Sequence, residues 1–250
     1  MDFDGKTILV TGSTRGIGAA AAELFLQLGG SVIVHGRQQA QVDAALARLP
    51  KSTGLASGIA ADLADLAQLG AVAQRIGELD VLVNCAGIFR EAAIGDTTLD
   101  LWNETIDVNV TAPWMLSQAL LPALLRRKGV IVNVGSDAAV LGYAGCVAYC
   151  ASKGALVGLT RALATELAPD VRALCVCPGP TETDMMQASV ATAPDPETAR
   201  RQWASYPLLR RVATPAEIAE AIVFAASPGA RYLTGSVIMA DGGTSAGKRV

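Results

Sequence analysis

The chain is predicted to be an α/β protein: one doubly wound domain, residues 1–250, around a parallel sheet of about seven strands. Two observations carry this expectation. Short apolar runs rich in β-branched residues alternate with Ala/Leu-rich segments of helical period. The 250 residues are 51% hydrophobic and 17% charged, which argues for one large buried core and against disorder.

The elements follow in order. "TILVT" at 7–11 reads as a first strand, with "GAAAAELFLQLG" at 18–29 as its helix. "SVIVH" at 31–35 precedes the helical "AQVDAALARL" at 40–49, and "LASGIA" at 55–60 precedes "LAQLGAVAQRI" at 66–76. "VLVN" at 81–84, "VIVNV" at 130–134, "ALCVC" at 173–177 and "VIMA" at 237–240 complete the set. Because these strands are apolar throughout rather than alternating, both faces of the sheet must be covered by helices. Two long helices are expected, over roughly 99–125 and 149–168. The stretch from 185 to 207, with "TAPDPE" inside it, reads as a mobile insertion.

Several function classes lose ground on composition. A net charge of −3 offers no basic field for nucleic acid, and the cluster Arg126-Arg127-Lys128 suits a helix C-terminus. "MDFDGKTILVTG" carries acids where an export signal carries bases, and its apolar run is too short to span a bilayer, so a cytoplasmic protein without membrane attachment is expected. The cysteines, Cys85, Cys146, Cys150, Cys175 and Cys177, are odd in number and lack zinc-site spacing, so reduced thiols and no metal are expected. His35 is the only histidine, and a Ser-His-Asp hydrolase would have to depend on it.

The first strand leads into "TGSTRGIG", residues 11–18. Gly12, Gly16 and Gly18 would let the chain turn tightly, approach a pyrophosphate closely and start a helix whose N–H groups face the anion. After the second strand, where an NAD site would place a carboxylate, the chain reads His35-Gly36-Arg37. Arg37 and Arg15 together suit a ribose 2′-phosphate, so NADP(H) is the expected cofactor and NAD(H) the alternative. Arg37 also fits a solvated residue opening the next helix. Further on, Tyr149 and Lys153 stand four apart and share a helical face. The pair could be an ordinary amphipathic contact or a phenol tuned by an ammonium.

These motifs resemble those of the short-chain dehydrogenase/reductase family over nearly the whole chain. "TGSTRGIG" (with Thr14 and Ile17), Asp62-Leu63, "NCAG" at 84–87, "DVNV" with Asn109, "VNVGS" with Ser136, "YCASK" and "PGPTETDM" occur in the family's order. "RRVATPAEIA" and "YLTGSVIMADGG" match its closing segment. The resemblance implies a Rossmann fold and hydride exchange between a nicotinamide cofactor and a carbonyl or alcohol, with a 3-oxoacyl-[acyl-carrier-protein] reductase as the leading role. Sugar, polyol or cyclic-alcohol dehydrogenases share the motifs; a non-catalytic dinucleotide sensor or scaffold is the different class.

By that resemblance Tyr149 is the general acid or base, Lys153 lowers its pKa and holds the nicotinamide ribose, Ser136 positions the substrate oxygen, and Asn109 completes a proton path. Asp62 and Leu63 would meet the adenine. Asn84, Ala86 and Gly87 would line the ribose and nicotinamide half, and Pro178, Gly179, Thr181 and Thr183 would lie against the nicotinamide. A homotetramer, or a homodimer, is implied, joined through the two long helices. Cys85 departs from the family's second asparagine, Leu174 from a frequent asparagine, and Pro180-Thr181 from an apolar pair. Ile88, Phe89, Arg90, Asp137, Ala138, Tyr143, Cys146, Met185, Met186 and Trp203 are expected around the substrate.

Overall fold

The computed structural model describes residues 1–50 and 55–247. Seven parallel strands form one sheet in the order β3-β2-β1-β4-β5-β6-β7, built from β1 (Thr7–Val10), β2 (Ser31–Gly36), β3 (Ala56–Ala60), β4 (Val81–Asn84), β5 (Val130–Val134), β6 (Arg172–Pro178) and β7 (Val237–Ala240). The helices are α1 (Gly16–Gln27), α2 (Gln39–Arg48), α3 (Leu66–Gln74), α4 (Leu99–Ile106), α5 (Ala112–Arg127), α6 (Val147–Leu167), α7 (Asp184–Thr192), α8 (Pro196–Ser205) and α9 (Pro215–Ala226).

Successive strand residues point to opposite faces, so Ile8 and Val10 join one core while Leu9 joins the other. The first core packs α1, α2 and α9 against the sheet, and the second packs α3, α5 and α6. Phe25 of α1 is fully buried and meets Phe3 edge to face with ring centres 4.9 Å apart; truncating such a side chain to alanine costs about 3–5 kcal/mol. The segment Leu99–Arg127 is long and apolar enough to cross a membrane by composition alone, but 50% of its most apolar window is buried inside the fold. The basic run after it ends α5 as expected, with Arg127 paired to Asp80 at 3.1 Å and Lys128 capping in the left-handed conformation.

Two expectations are corrected. The first long helix is interrupted by a π-helical turn, Asp107–Thr111, that carries Asn109. The 185–207 stretch is mostly helix, forming most of α7 and all of α8. Asp195 caps α8 by accepting from the N–H groups of Glu197 and Thr198, and Pro196 fits its first turn, so the Asp-Pro-Glu run starts a helix.

The strand order reverses between β1 and β4. There the two connections leave in opposite directions and open a crevice at the strands' carboxyl ends. That crevice positions the site.

Candidate active site

The loop after β1 is fixed from two sides. Gly12 and Gly16 have φ of +65° and +57°, and a Cβ on Gly12 would lie 2.8 Å from the Ala86 Cα, so this loop touches the one after β4 directly. Thr11 Oγ1 accepts from the N–H groups of Cys85 and Ala86, both at 3.0 Å. His35 supports the loop from β2: its Nδ1 accepts from Gly12 N–H at 3.2 Å, and its carbonyl accepts from Ser13 N–H at 3.0 Å. Burial pushes the imidazole pKa down to about 4, so it is neutral at pH 7 and serves as a buttress, remote from any role as a hydrolase base.

A cleft of about 1070 Å³ runs from Arg37 and Arg48 past this loop to Trp203 and Tyr206. Its walls include Gly12, Thr14, Arg15, Gly16, Ile17, Gly18, Arg37, Asp62, Leu63, Ala86, Gly87, Ser136, Tyr149, Lys153, Pro178, Gly179, Thr181 and Thr183. Asn84 and Asn109 are not on them.

Asn84 is corrected from a cofactor-lining residue to a buried strut. Its Nδ2 donates to Asn133 Oδ1 at 2.8 Å, and Asn133 Nδ2 donates to Thr160 Oγ1 at 2.9 Å, which ties β4 to β5 to α6. Asn109 is a clamp: its side chain accepts from Ile88 N–H at 2.9 Å and donates to Ile88 C=O and to Ser152 Oγ, both at 3.0 Å. Ser152 Oγ in turn donates to the Tyr149 carbonyl at 2.7 Å. The π turn thus holds the loop after β4 against the turn of α6 that bears Tyr149.

Tyr149 and Lys153 do share one face of α6, with Lys153 Nζ 5.6 Å from the centre of the Tyr149 ring. Phe89 meets that ring edge-on with centres 4.9 Å apart. Lys153 is 5% exposed and donates to Val134 C=O at 2.9 Å. Ser136, at the end of β5, donates to Asp137 Oδ1 at 3.0 Å and accepts from Ala138 N–H. Burial raises the Tyr149 pKa, against a lowering contribution from Ser136, and burial lowers that of Lys153. The expected depression of the Tyr149 pKa is therefore not a property of the protein alone, in which burial holds the phenol up. Cys85 lines the cleft and its thiol is pushed up to about 12 by burial, so it is unreactive.

Charged residues sort along the cleft. Arg37 makes no hydrogen bond or ion pair with another described residue. Arg15 pairs with Asp184 at 3.4 Å. Arg48, which the sequence reading missed, lines the Arg37 end and donates to Thr14 C=O at 2.9 Å. At the opposite end Arg90 lies outside the cleft wall and is paired with Glu104 at 3.7 Å, so it is no anion receptor.

A family model described as "Enoyl-(Acyl carrier protein) reductase" matches residues 12–245. The chain is 38% identical over 248 residues to 2-(S)-hydroxypropyl-CoM dehydrogenase 3 of Xanthobacter autotrophicus, covering 96% of this chain and 97% of the relative. It is 36% identical to the 3-oxoacyl-[acyl-carrier-protein] reductase of Vibrio harveyi over 97% and 98% of the two chains. The chain belongs to the short-chain dehydrogenase/reductase family. Within this family of oxidoreductases, a solved structure from Beutenbergia cavernae, described as a "putative NAD(P) dependent gluconate 5-dehydrogenase" with NADP bound at low occupancy, superposes with a TM-score of 0.90 at 35% identity, covering 98% and 99% of the chains.

The residues present suit the family's dinucleotide. Arg15, at the N-cap of α1, makes no capping bond with its side chain, and the first turn holds no acid, so the N–H groups there remain available to a pyrophosphate. Gly87 lets an occupant approach closely: a Cβ there would stand 3.2 Å from Asn109 Oδ1 and 3.5 Å from Lys153 Nζ. Arg37 and Arg48 would hold a charged group at the β2 end, and Asp62 and Leu63 would flank it.

Proposed function

We propose that the protein interconverts a ketone and a secondary alcohol with NAD(P)(H), using Tyr149 as general acid and base, with NADP(H) preferred over NAD(H). The observation that carries this reading is the convergence of Ser136, Tyr149 and Lys153 on one wall of a cleft whose other wall is the glycine loop. When bound, the dinucleotide supplies or accepts the hydride.

Tyr149 is neutral in its buried setting, so its phenol is the acid that protonates an alkoxide as it forms: the Tyr149 O–H bond breaks and the alcohol O–H bond forms. Ser136 fixes the substrate oxygen beside that phenol. Lys153 lies one helical turn away and stabilises the phenolate left behind, and in alcohol oxidation the same phenolate recovers the proton. Asn109 positions rather than reacts, since it holds the Ile88 backbone and Ser152. For cofactor choice, Arg37 and Arg48 are the cations offered to a 2′-phosphate, and no carboxylate stands at Gly36 to repel it.

The relatives act on thioester-borne ketones, small secondary alcohols and a sugar acid by name, so the testing panel carries a 3-oxoacyl thioester, an enoyl thioester, simple ketones and polyhydroxy ketones. Cofactor-dependent turnover of a ketone is expected. Dinucleotide binding without turnover of any compound would favour the sensor or scaffold class. We read the assembly as a homotetramer or homodimer in the cytoplasm; Leu99, Trp114 and Leu125 of α4 and α5 are 71%, 46% and 43% exposed, a surface suited to another copy.

A further inference from the structure

Asp137 is a buried carboxylate at the reacting end of the cleft, 6% exposed, and it takes part in none of the ion pairs among the described residues. Two hydroxyls and the Ala138 N–H hold it instead. Ser136 donates to Oδ1 at 3.0 Å and Tyr143 donates to Oδ2 at 2.8 Å. Its charged neighbour, Asp241, has the same sign. A carboxylate has about four acceptor positions, so this one retains capacity for further donors while no cation answers it.

A conflict follows for Ser136. A serine hydroxyl has one proton, and an ionised carboxylate can only accept, so the proton that Ser136 gives to Asp137 is not free for a ketone, and the Tyr149 oxygen competes for it as well. To hold a ketone oxygen, Ser136 must donate to it. A substrate that brings its own donor to Asp137 releases that proton, whereas a substrate without one leaves the buried carboxylate short of a partner.

We propose that Asp137 is a specificity-determining residue that selects ketones bearing a hydroxyl on the adjacent carbon, and vicinal diols in the oxidative direction, by accepting a hydrogen bond from that hydroxyl. The proposal rests on the ketone and alcohol reading above. Lengths agree with it. A ketone oxygen about 2.8 Å from Ser136 Oγ, at a tetrahedral angle, lies about 4.7 Å from Asp137 Oδ1. The two oxygens of an α-hydroxy ketone are about 2.8 Å apart, and a hydrogen bond adds about 2.8 Å, so the pair spans that gap with a bend to spare. Tyr143, kept in place by Tyr206 with ring centres 6.1 Å apart, holds the carboxylate from its other side.

The test compares 2-hydroxycyclohexanone with cyclohexanone, which share a ring and differ by the hydroxyl, in the full-length protein with NADPH and with NADH. The wild type is expected to favour the hydroxy ketone at least about thirtyfold in kcat/KM, because a site built to bond a hydroxyl rejects the analogue lacking it. Asp137→Ala should lower that ratio at least about fivefold, and Asp137→Asn, which keeps the shape with fewer acceptor positions, should lower it by at least about twofold. Melting curves and quenching of tryptophan fluorescence by NADPH show whether each variant is folded, and the asparagine variant carries the test if the alanine variant is not. A smaller wild-type preference, or a ratio that the folded variants leave in place, overturns the proposal while turnover of either ketone keeps the oxidoreductase reading. Turnover of neither ketone, nor of cyclohexane-1,2-diol, overturns both.

Discussion

Acidification should destabilise this protein through its single histidine. His35 is 2% exposed, and its pKa falls from 6.5 to about 4 because burial penalises the imidazolium. The unfolded chain therefore binds the proton first. Stability from this group is fully present above pH 6.5 and declines as the pH falls towards 4. The full separation corresponds to about 3 kcal/mol, of which about 2 kcal/mol is lost between pH 7.5 and pH 5. Protonation would also remove the Nδ1 acceptor from Gly12 N–H, so the cost falls on the phosphate-binding loop itself.

The assay is urea denaturation at several pH values in the wild type and in His35→Asn, whose amide oxygen can replace Nδ1 as acceptor without titrating. The variant starts less stable at pH 7.5, since a smaller side chain leaves space in a packed site. Carboxylate effects are common to both proteins and cancel in the difference. The wild type is expected to lose about 2 kcal/mol more than the variant over this window. Parallel stability curves would refute the reasoning and mean that the imidazole is hydrated or paired in solution.

Other outcomes follow from the same geometry. Tyr149→Phe should lower kcat by at least about a hundredfold while NADPH affinity, read by fluorescence quenching, changes little; a variant with half the wild-type rate would remove Tyr149 as the acid. Arg37→Ala combined with Arg48→Ala should reduce the NADPH over NADH preference in kcat/KM at least about tenfold, the scale of losing one or two charge-assisted contacts in a partly exposed groove. A wild type that favours NADH would sink that assignment. Light scattering at micromolar concentration should report a multiple of the 25.7 kDa chain, and a monomer mass would contradict the self-association of α4 and α5.

The strands were legible because parallel strands covered on both faces must be apolar throughout, and "VIVNV" is buried at every position. The polar member of that run, Asn133, shows what periodicity omits: it belongs to a chain of amides through the core, and it draws Asn84 away from the cleft. The 185–207 stretch was misread because Pro and Asp mark both loops and helix starts, and only the Asp195 cap decides between them. Arg48 left no local signal, since only the packing of α2 on the sheet brings it to the cleft, where it meets the Thr14 carbonyl. Gly36 was read as the absence of a carboxylate, yet a Cβ there would come within 2.5 Å of Thr14 Cγ2. Its smallness holds β2 close to the glycine loop, so an acid placed at 36 would disturb the loop along with the charge. For that reason cofactor choice is better probed at the two arginines.

The reacting pair shows the limit of reading function from spacing. Four residues on a helix bring Lys153 within 5.6 Å of the Tyr149 ring centre, close enough for an ammonium to favour a phenolate. That attraction exists only once Tyr149 is ionised. Burial opposes the charged form of both groups, and the Lys153 ammonium is already bonded to Val134 C=O. The fold therefore keeps the phenol protonated, as ketone reduction requires at its start, and holds a cation beside it for the moment the proton leaves. Ser136 is held in a parallel state, with its proton on Asp137 until a ligand claims it. In both cases a neighbour holds the side chain: Asp137 accepts from Ser136, and the Val134 carbonyl accepts from Lys153.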